Sequence, residues 1–362
     1  MNKMTPQSPN DYLILILAYG RPEFLKTHTW KLLDDLNSHA RKVVVLSDDD
    51  KKLPEYKKLF DEDSIYVFNK IEAEKKYDID LIDCYWGKTQ SRKAPIWARN
   101  AQFDIARELG YRWFIVLDDD YVDVVMREKM FKRGSDEPFF PRIRKEIYSL
   151  PDAHGSAFDE CCLKYFKILD SAPWLYTVAF SQIGDFIGGV GSIMARLSYR
   201  WKAMNAFFCD TEKVFRFFGH INEDVNAYVL NGKIGRMSLT LANPSLDQTP
   251  TQQVAGGLTE LYLQLGTYIK SLTSAVACPS SVSVSCMGVT SPRVHHYVDW
   301  TFTCPSVVDE KICKDKPLDF DKECGTQPFF LLPEERKHEF TSNECEIVES
   351  ADFNSSSIES FF

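Results

Sequence analysis

The chain has 362 residues, 44% of them hydrophobic and 26% charged, the balance of an ordinary soluble globular protein large enough for one big α/β domain or two smaller ones. A net charge of -9 argues against a protein that coats nucleic acid non-specifically, and no run of about 18 apolar residues offers a membrane span. The ten cysteines are scattered and form no C-x-x-C, and the N-terminus has no apolar leader of its own. Reduced thiols and a cytoplasmic location are therefore expected, rather than disulfides, structural zinc or secretion.

Tyr12 to Ala18 is an unbroken apolar run that reads as a buried strand, and it breaks at Tyr19-Gly20-Arg21-Pro22. A helix is expected from Glu23 to Leu36. Arg21, at the carboxyl end of the strand, is placed either to contact a base or phosphate or to cap the turn. Lys42 to Leu46 is the next strand, and Asp48 and Asp49 follow it at once, where carboxylates of nucleotide-binding sheets accept hydrogen bonds from ribose or a base edge. Ile65 to Phe68 is a third strand, with an acidic, polar connection reaching Asp83. Pro95 to Leu109 is a helix with Arg99 and Asn100 in its first turns, stopped by Gly110.

Trp113 to Leu117 is again a fully buried strand, and Asp118, Asp119 and Asp120 follow immediately. Ligands of open α/β sheets bind beyond the carboxyl ends of the strands. Packed like charges need a cation, so the D-x-D pair Asp118 and Asp120 reads as a divalent-metal site with room left for phosphates, against the alternative of a solvated acidic turn. A basic stretch follows. Between Arg127 and Lys145 it holds seven basic residues, among them Lys129, Lys132, Arg133, Arg142, Arg144 and Lys145, and only three acidic ones. It reads as a long loop or hairpin able to meet a polyanion, or as a solvated face.

Cys161 to Leu169 reads as a helix and Thr177 to Phe180 as a strand. Gly184 to Ser192 is Gly-rich but lacks the ending of a P-loop. Asn222 suits a helix N-cap, with Glu223 and Asp224 in the first turn behind it. Gly256 to Lys270 is amphipathic, and Val282 to Met287 is a strand. His295 and His296 precede an aromatic run, and on a strand such neighbours would point to opposite sides. From Glu339 to Phe362 there are six acidic residues and no basic ones, the composition of a disordered tail.

Strands and helices closing on D-x-D resemble the nucleotide-sugar half of GT-A glycosyltransferases. The phrases ILAYGRPEFL, ARKVVVLSDDD, APIWARN, FIVLDDDY, GGLTELYLQLGTYIKS and RVHHYVDW together resemble, more narrowly, the TET-associated glycosyltransferases of bacteriophages. The resemblance implies a GT-A-like (Rossmann-like) α/β fold: a mixed sheet flanked by helices, with a nucleotide-sugar and metal-binding half at 11-125, an acceptor-binding half at 126-310 and an acidic tail at 311-362, behind an N-terminal extension at 1-10. It implies Arg21, Asp48, Asp49, Arg99 and Asp119 near the donor, with Gly188 and Gly189 lining the sugar pocket. Asp118 and Asp120, with one of His295 and His296, would hold Mn2+ or Mg2+. Asp224 or Glu223 would be the catalytic base.

The donor so implied is a nucleotide-sugar, UDP-linked, and the acceptor is 5-hydroxymethylcytosine in phage DNA, in the cytoplasm of the infected bacterium. The alternatives are a sugar already on DNA, a glycan or protein acceptor, or a non-catalytic module that binds nucleotide-sugar or DNA.

Overall fold

The computed structural model describes residues 4-77, 95-126, 130-131, 138-139, 142-143, 151-152, 155-183, 202-204, 206-249, 268-287, 293-303 and 345-346. Its strands are β1 (Tyr12–Leu17), β2 (Arg41–Ser47), β3 (Ile65–Phe68), β4 (Trp113–Asp118), β5 (Tyr121–Val125), β6 (Leu175–Gln182), β7 (Phe207–Asp210), β8 (Met237–Gln248), β9 (Val282–Met287) and β10 (Arg293–Val298). Its helices are α1 (Pro22–Thr27), α2 (Thr29–Asp35), α3 (Leu53–Leu59), α4 (Lys70–Tyr77), α5 (Ile96–Glu108), α6 (Ala157–Ser171), α7 (Glu223–Lys233) and α8 (Tyr268–Ala277).

The expected mixed sheet flanked by helices is present. Eight strands run in the order β3-β2-β1-β4-β7-β6-β8-β5. β1 to β4 are mutually parallel, β7 runs antiparallel between β4 and β6, and β5 closes the far edge antiparallel to β8. The apolar runs of β1 and β4 are continuous because both faces of the sheet are covered. Tyr12, Ile14 and Ile16 with Trp113, Ile115 and Leu117 pack on one side against α1, α2 and α6. Leu13, Leu15 and Leu17 with Phe114 and Val116 pack on the other side against α5 and the 203-217 segment. A smaller core joins α7, α8, β9 and β10 through Val225, Val229, Cys278, Val282 and Val298. There α7 runs so close to the chain after β10 that a Cβ on Gly232 would stand 2.3 Å from the Thr303 carbonyl oxygen.

Several elements differ from the sequence reading. The helix expected from Glu23 to Leu36 is broken at His28 (φ -113°, ψ -104°) into α1 and α2. The polar connection after β3 begins with helix α4. β5, β7 and β8 were not foreseen: β5 is a five-residue edge strand whose burial follows no period, β7 is only four residues long, and the run of β8 is interrupted by Asn243-Pro244. Of the basic stretch after the acidic triplet, Met130–Phe131 pairs with Pro138–Phe139 and Arg142–Ile143 with Cys345–Glu346. The side chains of Lys129, Lys132, Arg133, Arg142, Arg144 and Lys145 lie outside the described residues, as do Gly188, Gly189 and most of the acidic tail.

α6 is anchored by a buried carboxylate. Asp159 accepts hydrogen bonds from Tyr12 Oη (2.8 Å), Ser38 Oγ (2.6 Å) and the His39 backbone N–H (2.7 Å), which ties the helix to β1 and to the approach to β2. Asp159→Ala would strand the Tyr12 hydroxyl in the core. We expect a loss of about 3 kcal/mol in denaturant unfolding, and a loss under about 0.5 kcal/mol, ordinary for a surface position, would refute the anchoring role.

Candidate active site

The turn after β4 is fixed from three directions. Thr29, freed by the break at His28 to begin α2, donates from Oγ1 to the Asp118 carbonyl (2.8 Å) and accepts from the Tyr121 backbone N–H (3.0 Å). The Asp120 carbonyl accepts from the Thr249 N–H (3.0 Å), just beyond β8. Arg21, at the end of β1, grips Asp119 through Nε (3.1 Å to Oδ2) and Nη2. Its own backbone N–H is held by Tyr56 Oη (3.0 Å), while Asp50 accepts from the N–H of Gly20, whose φ of +72° makes the turn.

Arg99 joins the two acidic centres of the sequence. From the second turn of α5, it donates through Nη2 to both oxygens of Asp118 (2.9 and 3.0 Å) and through Nε to Glu223 Oε1 (3.0 Å) at the start of α7. It is 2% exposed and lies against the rings of Phe207 and Phe217. Among the described residues its Nη1 has no hydrogen-bond partner. Burial works against its charge, but Asp118 and Glu223 more than offset that and keep it protonated.

Four acids near this guanidinium, Asp119, Asp120, Glu223 and Asp224, are pushed toward neutrality. Burial raises Asp119 to about 6 despite the pull of Arg21. Burial, then the charges of Asp118 and Asp119, raises Asp120 to about 7. Glu223 is raised to about 7 by burial, which outweighs Arg99, and Asp224 is raised by burial although it accepts the Val225 N–H (2.8 Å). Among the described residues, the buried Oδ1 of Asp120 has no hydrogen-bond partner, and neither does the buried hydroxyl of Tyr121 beside it.

An acceptor oxygen without a donor, inside a crowd of carboxylates, fits a divalent cation held by Asp120 and Asp118. Asp118 would share its oxygens between that ion and Arg99. Among the described residues, no three His, Cys, Asp or Glu side chains stand together as a ready-made metal shell.

The remaining predicted residues fall on two sides of this centre. Asp48 and Asp49 follow β2, exposed, where Asp48 accepts the Lys70 N–H (3.1 Å) and Asp49 pairs with Lys70 Nζ (3.2 Å). On the other side, the His295 and His296 rings stack with centroids 4.4 Å apart instead of pointing to opposite faces. The His295 Nδ1 lies 2.7 Å from the His296 carbonyl oxygen, which turns the ring back over its neighbour. His296 reaches α7 through Asn222, whose Nδ2 stands 3.4 Å from its Nδ1.

Asn222 is at the N-cap position as expected, but its side chain does not cap. It adopts left-handed backbone (φ +59°) and donates to Ser274 Oγ (2.7 Å) on α8. Thr29, Asp50, Tyr56 and Tyr121 were missed as contributors. Only Asp50, in the run of three aspartates after β2, carried a local signal.

A model of the family described as TET-Associated Glycosyltransferase matches residues 12-257, more than half of the chain. Among solved structures, the chain is similar to glucosyl-3-phosphoglycerate synthase from Mycobacterium tuberculosis in complex with Mg2+ and uridine diphosphate. The identity is 8%, with 83% of this chain and 89% of that chain covered and a TM-score of 0.37. It is also similar to the mannosyltransferase PcManGT from Pyrobaculum calidifontis in complex with GDP-Man and Mn2+, at 11% identity, 76% and 77% coverage and a TM-score of 0.37. No match was found among curated proteins. A mixed sheet with carboxylates gathered at its strand ends, together with the family match, defines a glycosyltransferase. Within that class, the chain belongs to the TET-associated glycosyltransferases.

The raised pKa of Asp120 has a pH signature. A carboxyl that is harder to ionise in the folded state contributes stability below its unfolded pKa, near 4, and that stability is lost as pH rises through about 7. In EDTA, Asp120→Asn should therefore melt a few degrees above the wild type at pH 8, with the gap closing at pH 5. Mn2+ should raise the wild-type Tm at pH 8 and leave the variant unmoved. Parallel pH profiles for the two proteins would contradict the assignment.

Proposed function

We propose that this glycosyltransferase moves a sugar from a nucleotide-sugar donor, UDP-linked, to the hydroxymethyl group of 5-hydroxymethylcytosine in DNA. The observation that carries the reading is the Arg99 bridge, which brings the strand-end aspartates and the acids at the start of α7 into one buried centre. A donor and an acceptor that must react need their two binding sites within bonding distance, and a shared guanidinium holds the two acidic groups together.

In this reading Arg21 and Asp119 shape the donor side, with Asp48 and Asp49 near the nucleoside. A divalent cation, Mn2+ or Mg2+, held by Asp118 and Asp120, would supply positive charge to the diphosphate leaving group. Asp224 is the base. As the acceptor oxygen bonds to the anomeric carbon, its proton passes to Asp224, and the bond from that carbon to the diphosphate breaks with its electron pair on the departing nucleoside diphosphate. Glu223 holds Arg99 in place at 3.0 Å. Burial raises both acids, and a carboxyl raised in this way holds the proton it takes more firmly than one in water.

Acceptor DNA containing hydroxymethylcytosine, incubated with the protein, Mn2+ and a panel of nucleotide-sugars, should yield nucleosides heavier by one sugar in mass spectrometry, and EDTA should abolish the gain. Donor hydrolysis without any gain would keep the transferase and exclude this acceptor. Asp120→Asn and Asp224→Asn should each lower kcat by about 100-fold or more. Full activity in Asp224→Asn would remove it as the base.

A further inference from the structure

Arg99 carries one nitrogen that the fold leaves idle. A guanidinium holds its N–H donors in a fixed plane, and here Nε serves Glu223 Oε1 (3.0 Å) while Nη2 serves both oxygens of Asp118 (2.9 and 3.0 Å). Nη1 has no hydrogen-bond partner among the described residues. The side chain is buried, and its Cζ stands over the rings of Phe207 and Phe217, 5.8 and 5.7 Å from their centroids. A buried charged donor without an acceptor is costly, and it calls for one that arrives with a ligand or a water.

The neighbours of Nη1 say what that acceptor is. It is bonded to the same carbon as Nη2, so whatever it binds lies beside Asp118. The centre thus has one idle acceptor, Asp120 Oδ1, which fits a cation, and one idle cationic donor, Nη1, which fits an anionic oxygen. Asp119 is already held by Arg21 (3.1 Å), and Asp224 already accepts the Val225 N–H (2.8 Å). The diphosphate of a nucleotide-sugar, set beside Asp118 and Asp120, brings such an oxygen.

We propose that Arg99 is a catalytic residue as well as a bridge, its Nη1 donating to the diphosphate oxygen that leaves the anomeric carbon. The inference rests on the nucleotide-sugar reading and adds to it a donor from this chain. As the bond between that carbon and that oxygen breaks, its electron pair stays on the oxygen, which becomes a charged terminal oxygen of the nucleoside diphosphate. Nη1 keeps its protons, because Asp118 and Glu223 hold the guanidinium charged. A hydrogen bond to an oxygen that gains charge strengthens along the reaction, so it lowers the barrier more than it tightens substrate binding.

The test uses the state of that one oxygen: it is free and charged in a nucleoside diphosphate, esterified in a nucleotide-sugar and absent from a monophosphate. Calorimetry in Mn2+ measures the affinities of UMP, UDP and UDP-glucose, with GMP, GDP and GDP-mannose in parallel, for the wild type and Arg99→Lys. The variant keeps the charge and loses the fork. Its affinity for the diphosphate should fall about tenfold or more, for the nucleotide-sugar by less than about threefold and for the monophosphate not at all, while kcat for transfer falls about 100-fold. Arg99→Gln/Glu223→Gln removes the guanidinium without leaving the Glu223 charge unpaired, and it carries the same expectations for the three ligands should Arg99→Lys fail to fold.

Equal losses for all three ligands, or none, would leave Arg99 a strut between two acids with a hydrated nitrogen, and would overturn the proposal. So would a loss confined to the nucleotide-sugar, which gives Nη1 to a sugar hydroxyl. A loss of hydroxymethylcytosine oligonucleotide binding with diphosphate affinity intact would give it to an acceptor phosphate and overturn the proposal too. If the wild type binds neither diphosphate, the nucleotide-sugar reading itself fails, and this inference falls with it.

Discussion

Everything at the carboxyl end of the sheet depends on one buried guanidinium. Five carboxyl groups, Asp118, Asp119, Asp120, Glu223 and Asp224, come together from two parts of the sequence, and their mutual repulsion would drive them apart without a counter-charge. Arg21 answers for one of them from the edge, and Arg99 answers for two from the inside. A planar fork with donors on two sides can serve Asp118 and Glu223 at once, where the point charge of a lysine could not. Removing such a cation from water is costly, and the two aromatic rings beside it are what it receives along with the carboxylates.

The fold delivers the residues to that guanidinium by ordinary means. Continuous apolar strands, sandwiched between helices, hold β1 and β4 side by side so that Arg21 and the aspartates emerge together. The break at His28 costs a stretch of regular helix but puts the Thr29 hydroxyl under the acidic turn. On the far side, a left-handed Asn222 lets the chain enter α7 at an angle that turns Glu223 inward, and its amide ties that strained point to α8. Each device spends local regularity to fix a group in the centre.

What the sequence made legible were the features that announce themselves locally. The parallel strands β1, β2, β3 and β4 read as apolar runs, β9 read as a short apolar alternation, and α5 was bounded by Pro95 and Gly110. Arg21, Arg99, the aspartate triplet, Glu223 and Asp224 were all singled out, and the structure gathers them. What stayed hidden was relational. Nothing near Thr29 reveals that it hydrogen-bonds a turn some 90 residues away, and nothing in the run before Asn222 shows that its side chain will turn from the helix it precedes. Neighbouring histidines on an ideal strand diverge, yet a single bond from His295 to the next carbonyl folds one ring over the other. The edge strand β5 and the short β7 are stabilised by distant partners more than by their own patterns, so period alone could not find them.

The sheet order has a consequence for how the protein comes into being. The acidic turn joins β4, in the middle of the sheet, to β5, whose one strand partner among the described residues is β8, and Asp120 itself is pinned by residue 249. A nascent chain that has just released its aspartates from the ribosome therefore cannot yet set them in place. More than a hundred further residues must emerge before the turn has both of its anchors, and such long-range pairing is the slow step of folding. The candidate centre is thus completed by segments made well after its aspartates, which cannot be shielded from water before those segments arrive.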